Sequence, residues 1–164
     1  NPGFRNKEGY RARDLAGKDP TGRVRALLDQ YPEEEDLQRS FLPCVQHGDV
    51  SGAKQVLRLE PKDVSLHDPE TGMSALHLAV EAGNTEMVEL LLANRAQVNE
   101  PDKHGRMPAH FAGALGHAEI MEMLIANGAD MTAKFKGATP AEWAVHKGHK
   151  GVIRVLRRHG LTTA

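Results

Sequence analysis

The sequence predicts an all-α fold, a solenoid of about five stacked helix–turn–helix units with short β-hairpin fingers, the first two units being divergent. Two observations carry this. Gly72, Ala79, Gly83 and Leu91 recur as Gly105, Ala112, Gly116 and Leu124 and again as Gly137, Ala144, Gly148 and Leu156, at intervals of 33 and then 32 residues. Hydrophobic content of 40% with only 4% aromatics suits helices packed closely through small residues, and 164 residues suffice for one continuous core built by stacking.

The most complete unit is Gly72 to Asn99, GMSALHLAVEAGNTEMVELLLANRAQVN. Gly72 suits a turn that needs positive φ, Ser74 caps a helix, and Leu76, Leu78, Ala79 and Val80 make a short, largely apolar first helix. Gly83 ends it, Asn84 and Thr85 offer a second cap, and Glu86 sits in a favourable first turn. Met87, Val88, Leu90, Leu91 and Leu92 form the second helix, for which Asn94 is the expected left-handed stop, and Ala96, Val98 and Asn99 lead into an extended arm.

Taken in order, the units fall at roughly 6–31, 36–67, 69–101, 102–133 and 134–164, which together read as one domain over 1–164. The chain opens without an initiator methionine, so it reads as a processed chain or an excised part of something longer. In the first unit Gly9, Ala16 and Leu28 keep the template spacing, but Arg13 and Asp14 replace the Leu76 and His77 equivalents and Pro20 falls at the glycine position. Pro32 and the acidic run Glu33 to Asp36 announce a helix start ahead of Leu37. The second unit aligns through Cys44, Gly48 and Val56 and places Pro43 inside its first helix, where proline is costly outside the first turn or a kink. The third and fourth units differ only in detail. Between Ala129 and Gly137 one residue is lost, so the fifth finger is shortened at its tip while helix lengths are kept. The final helix alternates Lys150, Arg154, Arg157 and Arg158 with Val152, Ile153, Val155 and Leu156, a wet outer face that closes the stack.

GMSALHLAVEAGN, GRMPAHFAGALGH and GATPAEWAVHKGH resemble the ankyrin-repeat pattern of a turn glycine, TPLHxA, a second glycine and an apolar second helix. Glu142 departs from it by replacing the histidine in the last copy. The resemblance implies helix pairs with fingers projecting at right angles and a protein-binding role. It also implies that the imidazoles of His77 and His110 bridge backbone groups between adjacent fingers, a structural task. His117 and His149, after the inter-helix glycines, read the same way, while His104 and His146 fall at surface positions.

Composition and motifs exclude several classes. No apolar run approaches a membrane span and no secretory leader is present, so an intracellular protein, cytoplasmic or nuclear, is expected. Cys44 lies on the apolar side of its helix as an inert thiol. The nine histidines form no close pair with Cys or carboxylates at zinc spacing, so no metal and no cofactor is expected. GxSxG, a phosphate-cradling glycine loop, HExxH and a paired acid/base setting are all missing, so the chain reads as non-catalytic. Net charge is −1, yet residues 60–102 hold nine acids and two bases whereas 133–164 hold seven bases and one acid. That asymmetry either orients a charged partner or reflects a solvated surface with a basic end cap. Nucleic acid is not expected, because the bases lack interleaved aromatics.

The expected partner is another protein or peptide, bound by a monomer through finger tips and the inner face of the first helices, as the resemblance implies. By register that row holds Glu70, Met73 and Glu81, then Lys103, His104, Arg106 and Leu115, then Phe135, Lys136, His146 and Lys147, running from acidic to basic with Met73, Leu115 and Phe135 as apolar anchors. Phe135 either anchors a partner or folds back over the deleted position, and Trp143, matching Leu78 and Phe111, reads as core packing. LLANRAQVN also resembles the asparaginyl-hydroxylation pattern of some ankyrin fingers, which makes Asn99 either a modification site or a residue that bonds its turn. The two first readings of the whole are an adaptor or scaffold module and a regulatory or targeting arm of a larger enzyme or channel.

Overall fold

The structure, a computed structural model, describes residues 34–59, 64 and 66–161. It divides into two compact units, 1–41 and 42–164, the first of which contributes only the opening of one helix to the described residues. The first sequence repeat, 6–31, lies outside them. The described residues hold eight helices: α1 (Glu34–His47), α2 (Val50–Leu59), α3 (Ala75–Glu81), α4 (Thr85–Ala93), α5 (Pro108–Leu115), α6 (Ala118–Ala126), α7 (Pro140–Lys147) and α8 (Lys150–Arg158).

Helix starts are fixed by local chemistry. Ser74 Oγ accepts the His77 amide at 3.4 Å, Asn84 Oδ1 accepts that of Met87 at 3.0 Å, and Thr139 Oγ1 accepts that of Glu142 at 3.2 Å, each satisfying a donor that the first turn leaves open. Pro108 and Pro140 begin α5 and α7, where a missing N–H costs nothing. The acidic run does start a helix, at Glu34, and Pro43 sits inside it, ten residues along a 14-residue element.

Within each complete unit the two helices pack on each other, α3 on α4, α5 on α6 and α7 on α8. Between units, first helices stack on first helices (α3, α5, α7) and second on second (α2, α4, α6, α8). The core is the stripe anticipated from the repeat: Leu76, Val80, Met87, Val88, Leu91, Ile120, Met121, Leu124, Val152 and Leu156 are all buried. Small residues set the spacing. A methyl group on Gly113 of α5 would strike the Pro140 carbonyl oxygen and stand 3.1 Å from its carbon, so α5 and α7 meet backbone to side-chainless backbone.

Three details bear on the expectations, the first and third as corrections. The left-handed stop of α4 is Arg95, at φ 65°, while Asn94 stays at φ −93° and uses its Nδ2 to bond the Leu90 carbonyl at 2.8 Å. Ala96 N–H to Leu91 O, at 3.0 Å, closes the same six-residue C-terminal motif that Gly128 and Gly160 serve one and two units later. Second, the fingers are hydrogen-bonded turns carrying only isolated bridges, His67 with Ser74 and Phe135 with Ala138, among the described residues. Third, Trp143 is half-buried, lying over the fifth finger with its Nε1 donating to the Phe135 carbonyl at 3.3 Å.

Two substitutions test this account. Arg95→Gly is expected to raise stability by about 1 kcal/mol, since it relieves a left-handed residue that carries a Cβ. Gly113→Ala is expected to lower it by roughly 1–2 kcal/mol, overpacking against Pro140 outweighing a helix-propensity gain of about 1 kcal/mol. Urea unfolding followed by circular dichroism reads both, and a stabilised Gly113→Ala protein would contradict the close approach of α5 and α7.

Candidate functional site

The fingers are built differently, and the difference shapes the surface. In the fourth, Asp102 is buried and organises the tip: its Oδ1 accepts the backbone amides of His104 at 2.9 Å and Arg106 at 2.8 Å, while Oδ2 accepts Arg106 Nε at 2.6 Å. Burial pushes the Asp102 carboxyl up, but the Arg106 and His104 donors and the guanidinium charge outweigh it and hold the group below the usual range. The same guanidinium lies over the Phe111 ring, 4.6 Å from its centroid. In the fifth finger the lost residue leaves a two-residue turn: Phe135 and Ala138 exchange both backbone bonds, at 2.9 and 3.1 Å, around Lys136 at φ 50° and Gly137 at φ 79°. Positive φ at both central residues is the geometry that matches strand twist in such hairpins.

Between these two tips lies an open groove of about 520 Å³ lined by His104, Gly105, Arg106, Lys134, Phe135 and Lys136. It brings together four residues nominated from sequence, His104, Arg106, Phe135 and Lys136. Phe135 is half-buried, stacked on Trp143 with centroids 6.1 Å apart and planes at 27°, edge-on to His110 at 6.1 Å, with Lys136 Nζ over its ring at 5.4 Å. It therefore packs on its own unit and still forms one wall of the groove. His146, exposed, meets the Trp143 ring edge-on at 6.3 Å.

Other nominated residues fall elsewhere. Met73 is only 4% exposed and is withdrawn as an exposed anchor: its carbonyl closes the third finger by accepting Asp68 N–H at 2.8 Å, and its apolar side chain is covered in mid-stack. Arg106 occupies the equivalent place one unit on, and its charge keeps it half-exposed. Lys103 spends its ammonium on the Pro69 and Glu70 carbonyls, so it ties the fourth finger to the third. Glu70, Glu81 and Lys147 are exposed, and Leu115 is 45% exposed. Asn99 has both amide atoms in use, Nδ2 on the Gly128 carbonyl at 2.9 Å and Oδ1 on the Asp130 amide at 2.7 Å, so it bonds the next turn.

Sequence reasoning missed Lys134, which lines the groove, and Val145, which is 53% exposed. Among the described residues no group of three His, Cys, Asp or Glu side chains is placed to hold a metal ion, and no helix is long and apolar enough to cross a membrane. Cys44 is partly buried, and burial followed by the nearby Asp49 charge pushes its thiol pKa up, away from the thiolate that reacts.

The bridging histidines decide the family pattern. His77 Nδ1 accepts the Ser74 amide at 3.1 Å while Nε2 donates to the Arg106 carbonyl of the next finger at 2.9 Å; His110 does likewise with the Met107 amide at 3.0 Å and the Ala133 carbonyl at 3.1 Å. Residues 42–135 match the family model for ankyrin repeats, in three copies. The chain belongs to the ankyrin-repeat family. In mouse receptor-interacting serine/threonine-protein kinase 4 the similar stretch is 39% identical over 74 residues, 44% of this chain and 9% of that protein. The human ARF GTPase-activating protein GIT1 is 34% identical over 74 residues, 45% of this chain and 10% of that protein, and mouse 2-5A-dependent ribonuclease is 33% identical over 89 residues, 54% and 12%. The chain thus spans about 10% of the length of the curated relatives it matches. The last ankyrin helix pair, α7 and α8, lies beyond the matched residues but repeats their geometry.

The bridges make an ankyrin stack sensitive to acid. Burial pulls both imidazoles below their ordinary pKa, only partly opposed by the carbonyls they face. The folded chain therefore keeps them neutral, whereas the unfolded chain protonates them near pH 6.5. The stabilisation is complete above that pH and is lost progressively as pH falls below it. Unfolding free energies at pH 7.5 and 5.5 are expected to show this loss, and His110→Gln is expected to remove about one proton from the slope. An unchanged slope in that variant would show that His110 titrates alike in both states.

Proposed function

We propose that this chain is a non-catalytic recognition module that binds a protein partner through the fingers and first helices of its last three units, as an adaptor or scaffold acting as a monomer inside the cell. Ankyrin repeats indicate a protein-interaction module. The observation that supports the finer reading is the groove between the fourth and fifth fingers, where His104, Arg106, Phe135 and Lys136 converge. Leu115, exposed at the end of α5, supplies an apolar contact on the same row by register.

A second reading is favoured by the relatives. They are named as a GTPase-activating protein, a kinase and a ribonuclease, each about ten times longer than the matched stretch, so these repeats would position or regulate a catalytic domain.

Affinity capture from the native lysate tests the first reading, comparing wild type with Leu115→Glu/His146→Glu, both positions being exposed and the two baits first matched in helicity and melting. Loss of a captured partner from the variant is the expected result. Identical partners on both baits would place recognition off this face.

A further inference from the structure

The groove between the last two fingers has a charge that follows from how its acids are spent. Around it stand Lys134 and Lys136, both exposed, and Arg106 and His104. Two carboxylates beside them are consumed within the fold. Asp102 is buried and turned onto the His104 and Arg106 donors, and Glu142 Oε2 accepts the Thr139 amide at 2.7 Å as half of the α7 cap. The two acids offset part of the field but offer no oxygen to the groove. What faces solvent is cationic, with Phe135 as its one apolar wall.

We propose that this groove receives an acidic, Asp- or Glu-rich peptide segment of the partner protein, its carboxylates pairing with Lys134, Lys136 and Arg106 and its aliphatic side chains lying against Phe135. The assignment rests on the protein-binding reading above and adds the chemistry of the partner. A volume of about 520 Å³, open to solvent, takes a few side chains of an extended segment and leaves its backbone outside. Lys136 is held at φ 50° in a turn where asparagine or glycine fits without strain, so its charge is kept at a conformational cost. Nucleic acid fits the groove poorly. The Phe135 ring is already stacked on Trp143 with Lys136 Nζ over it, so a base would have to displace that ammonium to lie flat on the ring, whereas an aliphatic side chain need only touch its exposed part.

Fluorescence anisotropy with a fluorescein-labelled nonapeptide of repeated Glu-Asp-Leu tests the proposal at low ionic strength, where such pairing is strongest. Two variants of equal charge loss are compared: Lys134→Gln/Lys136→Asn in the groove and Lys150→Gln/Arg154→Gln on α8, whose exposed bases form the other cationic surface of this end. Asparagine is chosen because it tolerates positive φ, which keeps the turn folded. The expected result is binding by wild type, at least fivefold weaker in the groove variant and changed less than twofold in the α8 variant. Absence of binding to wild type, equal losses in both variants, or tighter binding of a single-stranded oligonucleotide of the same charge would each overturn it. If any of these occurs while Leu115→Glu/His146→Glu still loses its captured partner, the acidic chemistry fails alone and the recognition face stands.

Discussion

Everything in this stack hangs on a buried imidazole that has to satisfy two nitrogens at once. His77 and His110 each accept a backbone amide from their own helix start and donate to a carbonyl of the following finger. Leaving either nitrogen unpaired inside the protein would cost on the order of 1–3 kcal/mol, so each unit's first helix and its successor's finger are set together or not at all. The last copy shows the logic by its exception. Glu142 performs the capping half, exchanging bonds with Thr139, and among the described residues no later finger requires the second half. A carboxylate suffices for the capping half.

A second tier of bonds ties the units at other heights. Lys103 reaches the third finger, Asn99 joins the arm after α4 to the turn after α6, and His149 Nε2 meets the Ala114 carbonyl at 2.9 Å. His117 stands one unit earlier in the same register, and its buried Nε2 has no partner among the described residues; nothing in the structure explains the difference. Exposed ion pairs such as Lys54 with Glu86 and Arg158 with Glu122 add little beside these, since each is well solvated. The stack is thus held by apolar stripes and directional backbone bonds, with Lys103, Asp102 and Arg106 serving its fingers, while Lys134 and Lys136 stand exposed beside them.

The finger tips were less legible than the helices for a physical reason. A helix pair is specified by periodicity, caps and glycines that act within a few residues, so Ser74, Asn84 and Gly116 could be placed from the chain alone. A side chain on a turn goes where its neighbours let it. Lys103 looked like a free surface group and Phe135 was open between anchoring a partner and folding back; one is captured by two carbonyls of the preceding finger and the other is stacked on Trp143. Arg95 was hidden because Asn94 beside it is the better left-handed former, and only the hydrogen-bond pattern of the ending helix moves the positive φ one residue along.

By itself the sequence determined the repeat, its period, the helix pairs, the shortened fifth finger and the family, because each rests on spacing and local chemistry. Tertiary structure decided which of the equivalent positions are covered. Val80 is buried and Gly113 lies against Pro140 of the next unit, yet Val145 at the same register is 53% exposed, since α7 packs on α5 and α8 and on no later helix among the described residues. Met73 and Arg106 part company in the same way, one buried and one half out on the groove. A repeating sequence states what each unit is; burial at any one position depends on the unit that comes next.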